Sequence, residues 1–253
     1  MPPETQTSAS PERHDTDSSA ARTLAIDIGG TGIKMIVLDA NAKPVNERAR
    51  TLTPKPATPE AVLSVIKTMA AAQPAFDRVA LGFPGIVKRG VTHSAPNLGN
   101  DFWVNFPLQA EVEAIVGRPV RAMNDADLQG YGVIVGKGVE LALTLGTGLG
   151  SGLYVDGQLV ANLELGHHPW KKEKTYEERL CDAELNEVGK KRWSGRVFEM
   201  IEQLAPIFNY DTLYIGGGNA EHIKGDLPAN VKLFSNVEGM TGGVKLWTTA
   251  KLV

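Results

Sequence analysis

The sequence predicts an α/β protein of two lobes around a central cleft, with one βββαβα unit repeated in both lobes. Three observations support this fold class. An apolar run that ends in glycines, at residues 24–34, is followed later in the chain by a similar segment at residues 141–152. Each copy has the pattern of a β-hairpin with a glycine-rich turn. In each half the hairpin is followed by a strand that is reached through a helix, which is the parallel addition typical of α/β sheets.

The boundary between the lobes is predicted at the end of a strand near residue 123. We assign residues 23–123 to a small N-terminal lobe and residues 124–253 to a large C-terminal lobe, whose last helix can pack back on the small lobe. Residues 1–22 are rich in Pro, Ser, Thr and Glu and predict a disordered tail. Such a tail is too short for a helix-turn-helix domain.

The elements of the first lobe are predicted from apolar runs and from the turn-forming residues that separate these runs. Thr58-Pro59-Glu60 predicts a helix start with proline at the first position. In order, the predicted elements are a hairpin at 24–38, a third antiparallel strand at 44–50, a helix from 59 to Pro74, a strand at 78–83, a long polar and aromatic loop at 91–107, a helix at 107–116 and a strand at 120–123. A loop of that length inside a compact domain is usually functional.

The second lobe repeats this order. The predicted elements are a helix at 126–135, a hairpin at 141–160, a charged and mostly helical segment at 171–193, an amphipathic helix at 196–208, strands at 212–215 and 231–234, and a small C-terminal helix.

Bulk composition limits the partners and the compartment. A net charge of −3 gives no reason to expect nucleic acid or an acidic membrane as the main partner. The single cysteine, Cys181, excludes an intramolecular disulfide and a multi-thiolate metal site, and it suits a reducing cytoplasm. The sequence has no stretch of about eighteen apolar residues that could span a membrane.

The two glycine turns are candidates for a phosphate clamp, because facing turns can direct backbone N–H groups at one polyanion. Asp27 lies just before the first turn, where a carboxylate can hold a hydrated Mg²⁺. A single glycine turn more often only shapes the chain, but the duplication and Asp27 favour the clamp. The candidate phosphate-binding residues are Asp27, Gly29, Gly30, Thr31, Gly32, Lys34, Gly146, Thr147 and Gly148.

Asn124 and Asp125 lie where a strand gives way to a helix. Either side chain could serve simply as a helix N-cap. The carboxyl end of a strand is also where α/β proteins bind ligands, and phosphoryl transfer to a hydroxyl needs a carboxylate that orients and deprotonates the nucleophile. We therefore favour Asp125 as a general base. Asp127 is the reserve candidate, although it suits a first-turn acid favoured by the helix dipole.

Two further groups of polar residues have open interpretations. Glu164 and His167, spaced three apart around Gly166, could bind the vicinal hydroxyls of a sugar or form only a polar turn, and a transition-metal site is disfavoured. A basic set could be a solvated face or a lane for a long polyanion. Its members are Lys171, Lys172, Lys174, Lys190, Lys191 and Arg192.

These motifs together resemble the repressor, open-reading-frame and kinase (ROK) family of sugar kinases, over residues 23–247. The resemblance implies the actin-like, ribonuclease-H-like ATPase fold. The motifs are Asp27-Ile28-Gly29-Gly30-Thr31-Gly32-Ile33-Lys34, Asn124-Asp125, Leu145-Gly146-Thr147-Gly148-Leu149-Gly150 and Glu164-Leu165-Gly166-His167. Other segments look most like the members of the family that phosphorylate glucose from polyphosphate. They are residues 166–170, 174–178, 189–193 and 208–220.

The resemblance also implies roles for individual residues. Asp125 would act as base on the sugar C6 hydroxyl, Asp27 would help to place Mg²⁺ through water, and a homodimer is expected. The sugar-binding candidates are Asn124, Asp125, Glu164, His167, Asn100 and Gly85; those for nucleotide or polyphosphate are Gly216, Gly217, Gly218, Lys190 and Lys191. Many members have a cysteine-rich zinc site after the Glu-x-Gly-His motif. Because Cys181 stands alone we expect no zinc, and support for this loop from Tyr176 and Glu177 instead.

The leading hypothesis is an enzyme that transfers a phosphoryl group from inorganic polyphosphate, with ATP as a further donor, to glucose. An ATP-dependent kinase for glucose, mannose or an amino sugar is the alternative. A sugar-sensing repressor is disfavoured by the missing DNA-binding domain and the retained Asp125. A structural filament protein is weaker still, since it would not need Glu164 and His167.

Overall fold

The computed structural model of the protein describes residues 21–160 and 162–248. The first half comprises β1 (Thr23–Ile28), β2 (Gly32–Leu38), β3 (Ala49–Leu52), α1 (Pro59–Ala71), β4 (Arg78–Phe83), β5 (Val87–Lys88), β6 (Val91–Thr92), α2 (Asn100–Trp103), α3 (Leu108–Val116) and β7 (Val120–Asn124). The second half comprises α4 (Asp125–Val133), β8 (Val139–Leu145), β9 (Leu149–Val155), β10 (Gln158–Val160), a 3₁₀ turn (Leu165–His167), α5 (Tyr176–Leu180), α6 (Asp182–Val188), α7 (Lys190–Phe208), β11 (Thr212–Gly216), a 3₁₀ turn (Ala220–His222), β12 (Val231–Leu233), α8 (Asn236–Met240) and α9 (Gly242–Thr248).

Two five-stranded sheets have the same topology, which confirms the internal duplication. Their strand orders are β3-β2-β1-β4-β7 and β10-β9-β8-β11-β12. In each sheet three consecutive strands pair antiparallel, and the fourth and fifth add in parallel. The parallel additions are the ones predicted from the helix crossovers, and they bring the carboxyl ends of β1, β4 and β7 to one edge.

The third strand of the first sheet lies later than predicted. Residues 44–50 were expected to pair with β2, but β3 covers Ala49–Leu52 and only an isolated bridge joins Pro44 to Leu38. Pro44 has no N–H to donate to the ladder. The side chain of Asn46 then accepts the hydrogen bond of the Val37 N–H at 2.9 Å, in place of a backbone carbonyl. The chain therefore returns to regular pairing only at Ala49.

The predicted loop at 91–107 contains structure that the sequence pattern did not indicate. It includes β6 and the single-turn helix α2. The reason is an aromatic anchor: Trp103 is fully buried, with its ring 5.0 Å from Phe83 and 5.3 Å from Phe106. The indole N–H donates to the Ala57 carbonyl at 2.9 Å, so this segment is attached to the first lobe's core.

The remaining predicted elements differ mainly in their ends. The helix expected from Arg196 begins at Lys190, and the second hairpin continues into β10. The first helix begins as predicted, with Thr58 as its N-cap and Pro59 in its first turn. Arg22 is already attached, because its N–H donates to Asp77 at 2.7 Å. The rest of the predicted tail, apart from Ala21, lies outside the described residues.

Three helices of the second half pack against the first sheet, and one of them, α4, also contacts the second sheet. Buried side chains of α4, including Leu128 and Tyr131, pack in one cluster with Ala80 of β4 and Tyr154 of β9. Helices α8 and α9 cover the same face of the first sheet as α4, and there Met240 and Val244 contact the apolar side chains of Ala25, Ile36 and Leu38. Helix α9 thus packs on β1 and β4, while the division into lobes at residue 123 stays a prediction.

Along the residues that the structure describes, no helix combines the length and the apolar character needed to cross a bilayer.

Candidate active site

The two sheets enclose an open cleft of about 510 Å³. Both glycine turns, the start of α4 and the Glu164–His167 segment face it, together with the chain that follows β11. The lining residues taken from the sequence prediction are Asp27, Gly29, Gly30, Thr31, Gly32, Lys34, Gly85, Asn124, Asp125, Gly146, Thr147, Gly148, Glu164, His167, Gly217 and Gly218. Segments far apart in the chain thus meet in one place.

Each glycine turn is closed by one backbone hydrogen bond, which spans three residues in the first turn and two in the second. Gly29 N–H donates to the Gly32 carbonyl at 3.0 Å, and Gly146 N–H donates to the Gly148 carbonyl at 3.0 Å. At the end of β1, the Asp27 carboxylate accepts a hydrogen bond from the Lys34 ammonium group at 2.8 Å. The first turn therefore presents backbone N–H groups beside one carboxylate and one amine.

The start of α4 answers the question whether Asn124 or Asp125 is the helix cap. Asn124 is the N-cap, because its Oδ1 accepts from the N–H groups of Ala126 at 2.8 Å and Asp127 at 3.1 Å. Its Nδ2 donates to the Gly85 carbonyl at 3.2 Å. Asp125 is then the first helical residue, and its carboxylate lines the cleft.

Two glycines allow α4 to begin between the sheets. A Cβ at Gly82 of β4 would lie 3.2 Å from Cα of Asp125, and a Cβ at Gly150 of β9 would lie 2.6 Å from Cβ of Ala126. A side chain at either position would push the helix start away from its sheet. These close approaches bring Asp125 between the two glycine turns.

The surroundings of Asp125 favour the protonated form of its carboxyl group. Burial raises its pKa well above the ordinary value, and the nearby carboxylates of Asp27, Glu164 and Asp127 raise it further. The hydrogen bond from the Ala126 N–H opposes this only in part. Asp127, which is 2% exposed, has its pKa raised by burial to about 7. A base with a raised pKa holds an abstracted proton more strongly than an ordinary aspartate.

Glu164 and His167 lie together in the lining of the cleft, with His167 Nε2 3.8 Å from Glu164 Oε2. Burial raises the pKa of Glu164. Ser151 of β9 holds the segment by accepting the Leu165 N–H at 3.2 Å and donating to the Leu163 carbonyl. Two polar side chains are therefore available to a ligand that reaches Asp125.

The loop after His167 is supported by Tyr176 and Glu177, as the sequence analysis predicted. The rings of Trp170 and Tyr176 are stacked 4.9 Å apart at an angle of 2°, and the Arg179 guanidinium lies 4.8 Å from the Trp170 ring. Glu177 accepts the Leu149 N–H at 2.9 Å, which attaches α5 to the strand beyond the second glycine turn.

Some predicted residues lie outside the cleft lining. Asn100 begins α2 and its Oδ1 accepts the Ala95 N–H at 2.6 Å. Gly216 packs against the Phe234 ring. Lys190 and Lys191 are exposed at the start of α7. Within the basic set, Lys171 pairs with Glu199 and Lys174 with Glu184.

The sequence reasoning missed several lining residues, because none belongs to a glycine turn or follows a strand as Asp125 does. They are Arg48, Arg50, Asn97, Gln129, Glu177, Asp182 and Asn219. Glu177 was considered only as support for the loop, and the arginines resemble ordinary surface cations in a polar strand.

The residues present fit a hydrated divalent cation. No three His, Cys, Asp or Glu side chains of residues 21–160 and 162–248 are grouped so that they could enclose a metal ion. The cleft offers carboxylate oxygens instead, at Asp27 and Asp125. One or two carboxylates, completed by water and substrate phosphates, are the usual protein ligands of Mg²⁺.

Comparisons with known proteins agree with this geometry. A polyphosphate glucokinase of Mycobacterium tuberculosis is 33% identical over 229 residues, which are 84% of this chain and 84% of the relative. The crystal structure of an inorganic polyphosphate/ATP-glucomannokinase from Arthrobacter sp. strain KM superimposes with a TM-score of 0.80 at 32% identity, covering 89% of this chain and 97% of that chain. A ROK family glucokinase from Streptomyces griseus, solved with glucose and AMPPNP, gives a TM-score of 0.73 at 20% identity, covering 89% and 98% of the two chains.

The fold is the actin-like ATPase fold of the sugar kinases among these neighbours. The sequence profile of the ROK family matches residues 23–182. With a relative 33% identical over most of both chains as well, the chain belongs to the ROK family.

Proposed function

We propose that the protein is a kinase that transfers a phosphoryl group from inorganic polyphosphate to the C6 hydroxyl of glucose, releasing glucose 6-phosphate. The observation that carries this proposal is the position of the Asp125 carboxylate, in the same cleft as both glycine turns and the Glu164–His167 segment. A base, a phosphate site and a polar site for an acceptor are the parts that phosphoryl transfer to a hydroxyl needs.

The roles of the cleft residues follow from their chemistry. Asp125 would accept the proton of the C6 hydroxyl as its oxygen attacks the terminal phosphorus of the donor. The hydroxyls of the sugar would bind to Glu164, His167 and the Nδ2 group of Asn124. The N–H groups of the two glycine turns would hold the donor phosphates, and Lys34 would add a positive charge beside them.

Kinases use a divalent cation to neutralise charge that develops on the transferred phosphoryl group. We propose Mg²⁺, held through water by Asp27 and directly by oxygens of the donor. Asp27 suits this position because it lies beside the first glycine turn and is only 9% exposed.

The donor and sugar range are supported by the named relatives. One is a polyphosphate glucokinase, and the other is described as using polyphosphate or ATP on glucose and mannose. We therefore propose ATP as a second donor and mannose as a second sugar. Gly217 and Gly218, at the far wall of the cleft, are the candidates for contact with a nucleoside. A homodimer in the cytoplasm is proposed on the family resemblance and the single cysteine alone.

One assay tests the proposed function. Glucose 6-phosphate is measured with a coupled dehydrogenase, with polyphosphate and separately with ATP as donor, in the presence of Mg²⁺. We expect product from polyphosphate. No product from either donor, in a protein that is folded by circular dichroism, would contradict the proposal, and product from ATP alone would favour the ATP-dependent alternative.

A further inference from the structure

Two arginines that the sequence analysis did not single out line the cleft on the side of the first glycine turn. Arg48 immediately precedes the edge strand β3, and Arg50 lies within it. Both are exposed, and among the described residues neither makes an ion pair. The neighbouring Glu47 does not line the cleft. Two uncompensated positive charges therefore face the same space.

The register of the first sheet explains how Arg50 reaches the turn. Asp27 is paired with Lys34 across β1 and β2, and Lys34 is paired with Arg50 across β2 and β3. Directly opposite side chains have Cβ atoms about 5 Å apart, and like charges in such a pair repel. The Asp27 carboxylate lies 2.8 Å from the Lys34 ammonium group and neutralises its charge. Among these three residues, Arg50 is therefore left without an opposite charge.

The guanidinium group of Arg50 lies over the first glycine turn itself. A Cβ built at Gly32 would be 2.9 Å from Nε and 3.2 Å from one terminal nitrogen of Arg50. The absence of a side chain at Gly32 thus allows the arginine to approach the backbone that would hold the terminal phosphates. Lys55 adds to this side, because its ammonium group donates to the Gly30 carbonyl at 3.3 Å.

Arg48 extends the positive charge away from the turn. Because Leu52 is paired with Gly32 at the turn and Ala49 with Met35, Arg48 comes before the end of β3 that is further from the turn. Both arginines line the cleft, with Arg50 beside the turn and Arg48 further along the chain from it, an order that suits a linear polyanion.

We propose that Arg48 and Arg50 form a lane that binds internal phosphates of a polyphosphate chain as it leaves the cleft along β3. This inference rests on the proposed function and specifies where its donor lies. A nucleotide has only three phosphates and then needs a site for its base, whereas a polymer gains affinity from each further cation along its path. Arg48, the member of the lane further from the turn, therefore distinguishes the polymer from ATP.

The test uses Arg48→Gln, Arg50→Gln and the double variant, with long-chain polyphosphate, tripolyphosphate and ATP as donors. Lys43→Gln/Lys67→Gln is the matched control, because it removes two exposed positive charges of the same half outside the cleft. Lys190→Gln/Lys191→Gln tests the other predicted track. Arg48→Lys/Arg50→Lys keeps the charge and checks for a purely steric effect.

In the double variant we expect the KM for long-chain polyphosphate to rise at least about tenfold, while the KM for glucose stays within about twofold. The salt dependence of that KM should weaken by about one to two in log–log slope, because fewer counterions are released. Arg50→Gln should weaken all three donors, since it overlies the turn. Arg48→Gln should weaken only the polymer.

Three results would overturn the lane. The double variant could keep the wild-type KM and salt slope for the polymer, or the Lys43/Lys67 control could change them equally. The Lys190/Lys191 pair could also give the effect in place of the arginines. Each of these leaves the proposed function intact, because the wild-type protein would still make glucose 6-phosphate from polyphosphate. Failure of the wild-type protein with that donor would instead remove the proposed function and the lane together.

Discussion

Among individual side chains, Asp125 has the surroundings expected of a base that works in a polar cleft. Burial is the main cause of its raised pKa, three neighbouring carboxylates raise it further, and only one backbone N–H stabilises its charge. Asn124 takes the capping role that either residue could have filled. Capping of the helix therefore does not explain the position of Asp125, which lines the cleft together with the two glycine turns.

Asp125→Asn should lower kcat by about 10²–10⁴-fold, because it removes a general base and changes little else. Glucose binding should stay within a fewfold of wild type, since the amide is isosteric with the carboxylate. Steady-state kinetics with calorimetric titration of glucose measures both quantities. A variant that keeps most of its activity would transfer the role of base to another group, of which Asp127 is the first to examine.

The pH dependence of kcat/KM should show the raised pKa of Asp125. A base acts only when deprotonated, so activity should fall as the pH decreases through a pKa well above the ordinary value of about 3.9. Glu164→Gln removes one of the charges that raise this pKa. In the Glu164→Gln variant we expect the acidic limb of the pH profile to move to lower pH. This shift is expected whether or not the substitution changes the affinity for glucose. A limb at the same pH in both proteins would contradict this account of the shift.

Among the elements, the loop between the 3₁₀ turn and α5 is held by aromatic stacking. The Trp170 ring is covered by Tyr176 and by the Arg179 guanidinium. The backbone closes the same loop, as Tyr176 N–H donates to the His168 carbonyl at 3.1 Å. This loop directly follows His167, so its rigidity should affect how well the sugar is held.

Trp170→Ala should raise the KM for glucose by about three- to tenfold, with a smaller change in kcat. Stacking of two aromatic rings contributes about 0.5–1.5 kcal/mol beyond the area that it buries. Trp170→Phe, which keeps a ring over Tyr176, serves as the control and should stay close to wild type. A fall in kcat with an unchanged KM would indicate that the loop acts on the chemistry and not on sugar binding.

How well each element was predicted depends on how local its determinants are. The glycine hairpins and α1 were recognisable because their turns, capping Thr58 and apolar periodicity lie within a few residues. The position of β3 depends on the Asn46 side chain, which replaces a backbone acceptor across the ladder. Helix α2 depends on Trp103 reaching a distant core. Neither contact leaves a pattern in the sequence nearby.

The same reasoning applies to the cleft. Asp27, Asp125 and the glycine turns carry local signals, since each lies at the end of a predicted strand. Arg50 carries none, because its importance comes from the strand register that brings it opposite Lys34 and over Gly32. Spacing alone left Glu164 and His167 indistinguishable from a polar turn.

For the molecule as a whole, the covering of the first sheet by α8 and α9 should contribute strongly to stability. Met240→Ala is expected to lower the free energy of unfolding by about 2 kcal/mol or more, since this buried side chain contacts the apolar face of the first sheet. Val237→Ala on the same helix, where the side chain is exposed, should change it by less than about 0.5 kcal/mol. Urea unfolding of both variants makes the comparison. Equal losses would indicate a local effect on the helix alone.

The packing of α9 on β1 and β4 also has a consequence for biosynthesis. The strands of the first sheet leave the ribosome early, but the helix that covers one of their faces, Gly242–Thr248, is translated only after the whole second sheet. Until then Ala25, Ile36 and Leu38 lack the contacts of Met240 and Val244, so the nascent N-terminal half carries an apolar surface of the kind that chaperones bind. The first half can therefore complete its folding only after the second half has been translated.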